Sequence, residues 1–451
     1  MKYIPVYDSS FQPLSVVLRD YRALCEKMPC ETLKICVERT NGYNYIYQMP
    51  VLKSEEYRDL TVRLAERMVK AILWVVGGYK IYLSGPEYIF KNISEAYTSN
   101  GARAFDYDFM SHVYESPMQV IRVSEINFPV LQTCSLKIGG HLDGCRIGFD
   151  AGGSDKKVSA VIDGKVVYSE EVVWNPKTQT DYCYHYDGIM DSIKRAATKM
   201  PRVDAIGVSS AGVYIDNKIM VSSLFVKVPK EFYDDHVKTM YIDIAKELGV
   251  PLEVANDGDV TALAGAMDLG ENSVLGIAMG TSQAGGYINP DGNLNGWISE
   301  LAFVPVDFNT DAMRDEWSGD VGCGVKYFSQ DGVIKLAGNA GIVFDDSLTP
   351  AEKLVVVQNL MKNDDERACR IYADIGVYLG YAIPFYAEFY SVKHLLLLGR
   401  ATSGSGGAII CDYANKVLKE EFPDLKISIE MPDEKNKRVG QSIAAASLTE
   451  I

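Results

Sequence analysis

Phe149-Asp-Ala-Gly-Gly-Ser154 is the stretch on which the reading of this chain turns. It ends a run in which Cys145, Ile147 and Phe149 recur at the two-residue period of a strand. Val158–Ile162 and Val166–Ser169 follow as two further strands. They flank Asp163-Gly164, a pair whose positions both tolerate positive φ and so favour a tight hairpin. A Gly-Gly turn between strands lets the backbone approach a polyphosphate with its N–H groups aimed at the oxygens. Gly152, Gly153 and Ser154 are the candidates for that task. Asp150, at the strand end, suits Mg2+, which takes one or two carboxylates and completes its shell with water and phosphate oxygens. Standing alone, the segment reads equally well as an ordinary hairpin turn.

Working outward, the device returns. Ser273–Ala278 is a strand running into Met279-Gly-Thr-Ser282, and Gly285–Ile288 is its partner, turned by Asn289-Pro-Asp-Gly292. Gly280, Thr281 and Ser282 form a second candidate phosphate turn. Two such turns can clamp one nucleotide between lobes, and the pair is more specific than either member. The expected architecture is α/β, with two βββα-type halves repeated in form rather than in sequence.

Between the turns, Ile189, Ile193, Ala196, Ala197 and Met200 recur at helical spacing, Ala205–Val208 is a short strand, and Glu231–Leu248 reads as one long helix. Strand Leu252–Ala255 leads into Asn256-Asp-Gly-Asp259 and a small-residue helix. A carboxylate at that junction can take the proton from an attacking hydroxyl, and Asn256 can orient the same acceptor. The competing reading makes Asp257 or Asp259 only a helix cap. Later, Leu397-Leu-Gly-Arg-Ala-Thr-Ser-Gly-Ser-Gly-Gly407 breaks a buried strand into a glycine-rich loop before a helix. Gly399 and Arg400 there could face a flat purine, or the loop could be a flexible connection.

The bulk properties narrow the function. The chain has 451 residues, 47% of them hydrophobic, and a net charge of −15, which argues against nucleic acid as the main partner. The cysteines, Cys25, Cys30, Cys36, Cys134, Cys145, Cys183, Cys323, Cys369 and Cys411, are odd in number and contain no CxxC pair, so neither a disulfide framework nor a self-contained zinc site is expected. The start, MKYIPVYDSS, lacks the apolar stretch of a signal peptide, and apolar runs such as Ala71–Val76 fall far short of the ~20 residues that span a bilayer. The expected address is the cytoplasm, without membrane contact. The histidines, His112, His141, His185, His236 and His394, are too dispersed to form a site and read as structural or surface residues.

Taken in order, these segments resemble the actin/hexokinase/heat-shock-chaperone ATPase superfamily, and within it the ROK group of bacterial sugar kinases and sugar-responsive repressors. The resemblance covers about residues 143–451. Asp150–Ser154 is similar to the group's D-x-G-G-T, Asn256–Gly265 to its N-D-A-N-A-A-A-L-G-E, Gly280–Gly286 to its G-T-G-x-G-G, and Gly296-Trp-Ile-Ser-Glu300 to its A-G-E-x-G-H. His394–Arg400 resembles the adenosine-side strand, and Val439-Gly440 with the last helix the closing segment. The resemblance implies two ribonuclease H-like (actin/hexokinase-type) lobes around a cleft, at 141–257 and 258–451, with the last helix packing back on the first lobe. It implies ATP and Mg2+ as cofactors, a hexose or amino sugar as acceptor, Asp257 as catalytic base, and Asn256 with Glu300 as ligands of the sugar hydroxyls.

The chain also departs from the group. Phe303 stands where the group has a zinc-ligating His, only Cys323 remains of its cysteine cluster, and Val325 stands where a second sugar-binding Glu belongs. One thiolate cannot build a tetrahedral site, so no structural zinc is expected. The loss at Val325 keeps a second reading open, a non-catalytic sugar or nucleotide sensor. A third, an ATPase activator of another enzyme, lacks the iron–sulfur cysteine spacing it would need. Residues 1–140 lie outside the pattern and show no clear helix-turn-helix. Leu60–Val76, Lys80–Leu83, Gly85 and Glu87–Tyr97 echo the helix–strand–Gly–helix order around His394–Gly399. The expectation is an α/β extension that packs on the rest or forms a contact between copies in a homodimer; any such unit would give the same echo.

Overall fold

The computed structural model describes residues 1–133, 137–431 and 434–451, with side chains from Gly440 onward in the last segment. Cys134 and the side chain of Val439 lie outside the described residues.

The N-terminal part holds α1 (Leu14–Cys25), β1 (Cys30–Glu38), β2 (Asn44–Leu52), α2 (Arg58–Val76), β3 (Lys80–Ser84), α3 (Glu87–Ala96), α4 (Ala104–Val113) and β4 (Gln119–Arg122). Its strands form a sheet in the order β2-β1-β3-β4. Helix α2 is buried from Leu64 to Val76, so even its Arg67 and Lys70 are withdrawn from water.

The next part holds β5 (Cys145–Ala151), β6 (Asp155–Ile162), β7 (Lys165–Val173), α5 (Tyr182–Ala197), β8 (Ala205–Ser210), β9 (Val213–Ile215), β10 (Lys218–Val221), a single turn α6 (Lys230–Phe232), α7 (Met240–Leu248) and β11 (Leu252–Asn256). The main sheet runs β11-β8-β5-β6-β7. Strands β11, β8 and β5 are parallel, and β5, β6 and β7 are antiparallel. Asp163 and Gly164 both take positive φ, 47° and 75°, as the hairpin reading requires. The single helix expected over Glu231–Leu248 is instead broken by a wide turn at Tyr233–Val237. Beyond that turn the Lys238 carbonyl accepts from the Ile219 N–H of β10, a tie an uninterrupted helix would not leave open.

The last part holds α8 (Asp257–Leu269), β12 (Val274–Met279), β13 (Gln283–Ile288), α9 (Gln330–Asn339), α10 (Pro350–Lys362), α11 (Glu366–Tyr386), β14 (His394–Leu398), α12 (Ser405–Glu421), β15 (Ser428–Glu430) and α13 (Glu434–Ala446). Its sheet runs β13-β12-β14-β15. Here the βββα expectation fails, because only β12 and β13 precede the helices. The chain from 289 to 329 is irregular instead, bonded mostly within itself and tied at a few backbone groups to residues 12–14 and 74–75. The Leu14 N–H donates to the Val306 carbonyl at 3.0 Å, and the Phe308 N–H to the Gln12 carbonyl at 2.7 Å. The apolar core of the N-terminal part is continuous with that of this last part. The echo between the N-terminal part and the adenosine segment extends to strand order and to the parallel pairs β3·β4 and β14·β15, but β3 pairs antiparallel with β1 whereas β14 pairs parallel with β12.

Helix α13 returns to the first large sheet. A Cβ on Gly207 of β8 would lie 1.7 Å from the Ala445 carbonyl, so only glycine lets the helix sit that close. Among the described residues, no helix is long and apolar enough to cross a membrane.

Candidate active site

Parallel pairing of β5 with β8 sets Asp150 opposite Ser209. The Ser209 hydroxyl donates to Asp150 Oδ1 at 2.8 Å. Burial pushes the Asp150 carboxyl above its ordinary range, against the pull of that hydrogen bond and of Lys157, whose Nζ is 4.0 Å away. The first glycine turn follows directly. Gly153 and Ser154 are exposed, and the Gly152 carbonyl accepts from the Trp174 indole N–H at 2.8 Å. A Cβ on Gly153 would meet Lys177 Nζ at 3.1 Å, so a lysine stands over the turn. The sequence reading missed Lys177. The basic residue in the short turn after β7 is its only local signal.

At the next junction, Asn256 caps α8. Its Oδ1 accepts from the Gly258 N–H at 2.7 Å, and its Nδ2 donates to the Gly212 carbonyl at 2.7 Å. The cap is therefore Asn256 rather than either aspartate, which leaves both acids for other work. Asp257 is raised above the usual carboxylate range by burial first and by the Asp150 charge second, while Lys177 pulls it down. The fold thus brings Asp150 and Asp257 within electrostatic reach of each other. Asp259 accepts from the Tyr287 N–H at 3.1 Å. Burial, with the charges of Asp257 and Glu300, pushes it up to about 7. Glu300 is likewise pushed up to about 7 by burial and then by Asp257. Asp257, Asp259 and Glu300 form one cluster, and Asp259 is a member the sequence reading left as a cap.

The second glycine turn joins this cluster through close backbone packing. A Cβ on Gly286 would stand 2.1 Å from the Gly258 carbonyl, and one on Gly258 would stand 2.4 Å from the Gly285 carbonyl. These glycines let β13 lie against the first turn of α8. Thr281 and Ser282 are exposed at the tip, where the Gly280 N–H donates to the Ser282 carbonyl at 2.9 Å. Gly399 has φ of 99°, and a Cβ there would be 2.3 Å from the Met279 carbonyl, so the loop after β14 is held against the same turn. A cavity of about 130 Å³ lies between Gly280, Thr281, Gln358, Arg400 and Ser403. A second cavity, of about 240 Å³, lies at Asn256 and Asp259 and is lined also by Gly212, Trp297 and, from the N-terminal part, Arg39 and Tyr114.

Around Cys323 the residues do not suit zinc. Cys323 Sγ is 3.8 Å from Asp320 Oδ2. Asp320 is met by Arg67 at 2.8 Å, Lys70 at 3.0 Å and Arg103 at 2.7 Å, all from the N-terminal part. Burial holds the Cys323 thiol protonated, pushed up to about 12. Phe303 packs its ring 4.3 Å from that of Trp74. Cations and an indole stand where zinc would require anionic ligands. Asp150 with the Ser209 hydroxyl, and Asp257 nearby, is an oxygen donor set of the kind Mg2+ takes, with Lys157 4.0 Å from Asp150 beside it.

The sequence profile of the ROK family matches residues 146–439, well over half of the chain. The chain belongs to the ROK family. The ROK hexokinase of Thermus thermophilus is similar in structure, with a TM-score of 0.53 at 17% identity over 67% of this chain and 97% of that one. A ROK transcriptional regulator, a homologue of the E. coli MLC protein, is similar with a TM-score of 0.51 at 15% identity over 68% of this chain and 79% of that one. At these identities the likeness is one of fold, and it bears out the ROK, actin-like α/β architecture that the resemblance implied. No curated protein sequence matches the chain. The N-terminal part of this ROK protein, with its Arg39, Lys70 and Trp74, precedes the matched stretch.

Proposed function

We propose that this ROK protein is an ATP-dependent kinase that phosphorylates a sugar hydroxyl. The observation that carries the reading is the state of Asp257. It opens α8 with its cap role taken by Asn256, and it is raised in basicity by burial and by Asp150. A base must be ionised to act, yet basic enough to take a proton from an alcohol, and burial beside another acid moves a carboxylate that way.

In this reading the acceptor lies in the cavity lined by Asn256 and Asp259, and the charge of Glu300 acts on Asp259. Carboxyl and amide groups suit sugar hydroxyls, which both donate and accept. Asp257 takes the hydroxyl proton. The acceptor oxygen bonds to the γ-phosphorus as the bond to the β–γ bridging oxygen breaks, and ADP leaves. The N–H groups of Gly152–Ser154 and Gly280–Ser282 hold the phosphates, with Lys177 adding positive charge over the first turn. The adenosine side falls to Gly399, Arg400 and the cavity beside them. Mg2+ held by Asp150 would neutralise phosphate charge.

A coupled ADP assay over a panel of hexoses and amino sugars tests this. Sugar-dependent ADP release supports it, and tight sugar binding without turnover in MgATP contradicts it. The second reading, a non-catalytic sensor, is favoured by one observation: Val325 is buried beside Cys323 and offers no second carboxylate to a sugar.

A further inference from the structure

We propose that the acceptor carries an acidic group, a carboxylate or a phosphate, and that Arg39 receives it. The inference rests on the kinase reading above and deepens it by naming the acceptor's class.

Arg39 lies just past the end of β1, beside the tight turn Thr40–Gly42 that leads to β2. Arg39 is 8% exposed and lines the acceptor cavity. Nη1 donates to the Gly296 carbonyl, and Nε has no partner. The Tyr114 hydroxyl, in the same cavity wall, also lacks a partner. No carboxylate pairs with Arg39 among the described residues.

That isolation is uncommon in this molecule. Of the other lysines and arginines buried as deeply, Arg67, Lys70, Arg146 and Lys326 each meet a carboxylate, while Lys156 donates to the Gly188 carbonyl and lies over the Trp174 ring. The chain carries 15 more acidic than basic residues, so counter-ions are plentiful. A buried guanidinium without one is costly. Its planar donor fork matches a carboxylate or phosphate arriving from outside. The acids in the same wall do not oppose this strongly. Glu253 and Asp259 are held toward their neutral forms by burial, and Asp216 is exposed, where water screens it. The unpartnered Tyr114 hydroxyl offers a second donor beside the guanidinium. The site is incomplete without the N-terminal part, which supplies both groups.

The test uses matched acceptors: glucose, galactose and mannose, each beside its uronate and its 6-phosphate. The full chain is assayed for binding by calorimetry and for ADP release, as wild type, Arg39→Gln and Arg39→Lys. The wild type is expected to prefer an acidic member over its neutral parent. Arg39→Gln should cut kcat/KM for that member by at least about tenfold relative to the neutral parent, with Arg39→Lys between. The ratio is the readout, because a folding defect lowers both numbers together. The ranking of uronate against 6-phosphate identifies the acid. Neutral sugars turned over better than both acidic partners would overturn the inference and leave the kinase reading standing. Acidic members bound through Arg39, with no ADP release from any member, neutral parents included, would uphold the site and remove the kinase reading. An acidic preference that survives Arg39→Gln, or no binding by any member, would overturn the inference.

Discussion

The backbone N–H of Glu300 donates to the carbonyl of Trp74 at 2.9 Å, and the neighbouring Ser299 N–H donates to Val75 at 3.0 Å. A helix leaves its last carbonyls without internal partners. Helix α2 gives two of these to the loop that presents Glu300. Its own position is fixed from behind. Lys70 reaches Asp106 at 3.3 Å and Asp320 at 3.0 Å, and the Trp74 indole N–H donates to Asp106 at 2.5 Å. The N-terminal part thus holds the loop that carries Glu300.

Lys70→Met tests that brace. It strips one cation from two buried carboxylates, and removing one member of such a network costs about 3–5 kcal/mol. Urea unfolding should register the loss. The KM for the acceptor should rise, because Glu300 moves, while the KM for ATP changes little. Equal increases in both would show that α2 does not act through the acceptor side.

Gly286→Ala should separate the second glycine turn from α8, since its Cβ would stand 2.1 Å from the Gly258 carbonyl. Overpacking of this kind costs about 1–3 kcal/mol. Weaker nucleotide binding, measured by calorimetry, should accompany it. Gly338→Ala is the control: it lies in α9 with open space around it. Alanine there should be neutral or stabilising by up to about 1 kcal/mol.

Glu300 also sets a pH dependence. Its carboxyl is pushed up to about 7 in the fold, against about 4.3 in an unfolded chain. Between those values the unfolded chain ionises while the folded one stays protonated, so the folded state binds more protons and stability falls as pH rises. Ligand-free wild type should therefore lose stability relative to Glu300→Gln as pH rises through that window, by on the order of 1–3 kcal/mol. A difference that is flat with pH would mean that Glu300 is ionised throughout.

Much of the fold was legible because the deciding signals are local. The Asp163-Gly164 pair specifies its hairpin by φ alone, and β14 spans His394–Leu398, the run read as a strand. The glycine turns and the Asn256-Asp257 junction were found for the same reason. What escaped depends on distant contacts. In place of a third strand, the last part has an irregular segment tied by backbone bonds to residues 12–14 and 74–75, which no local pattern announces. Arg67 and Asp320 are 253 positions apart. Arg39 had one local clue: Asn41-Gly42 between two apolar runs is a hairpin signal. It marks the turn but says nothing of the cavity beside it.

The central claim is that Asp257 is the base of a phosphoryl transfer, and Asp257→Asn tests it most directly. Titrated with MgATP and acceptor by calorimetry and then assayed for ADP release, the variant should bind both nearly as wild type does. It should turn over about 10²–10⁴-fold more slowly. Turnover close to that of wild type, with binding intact, would contradict the account.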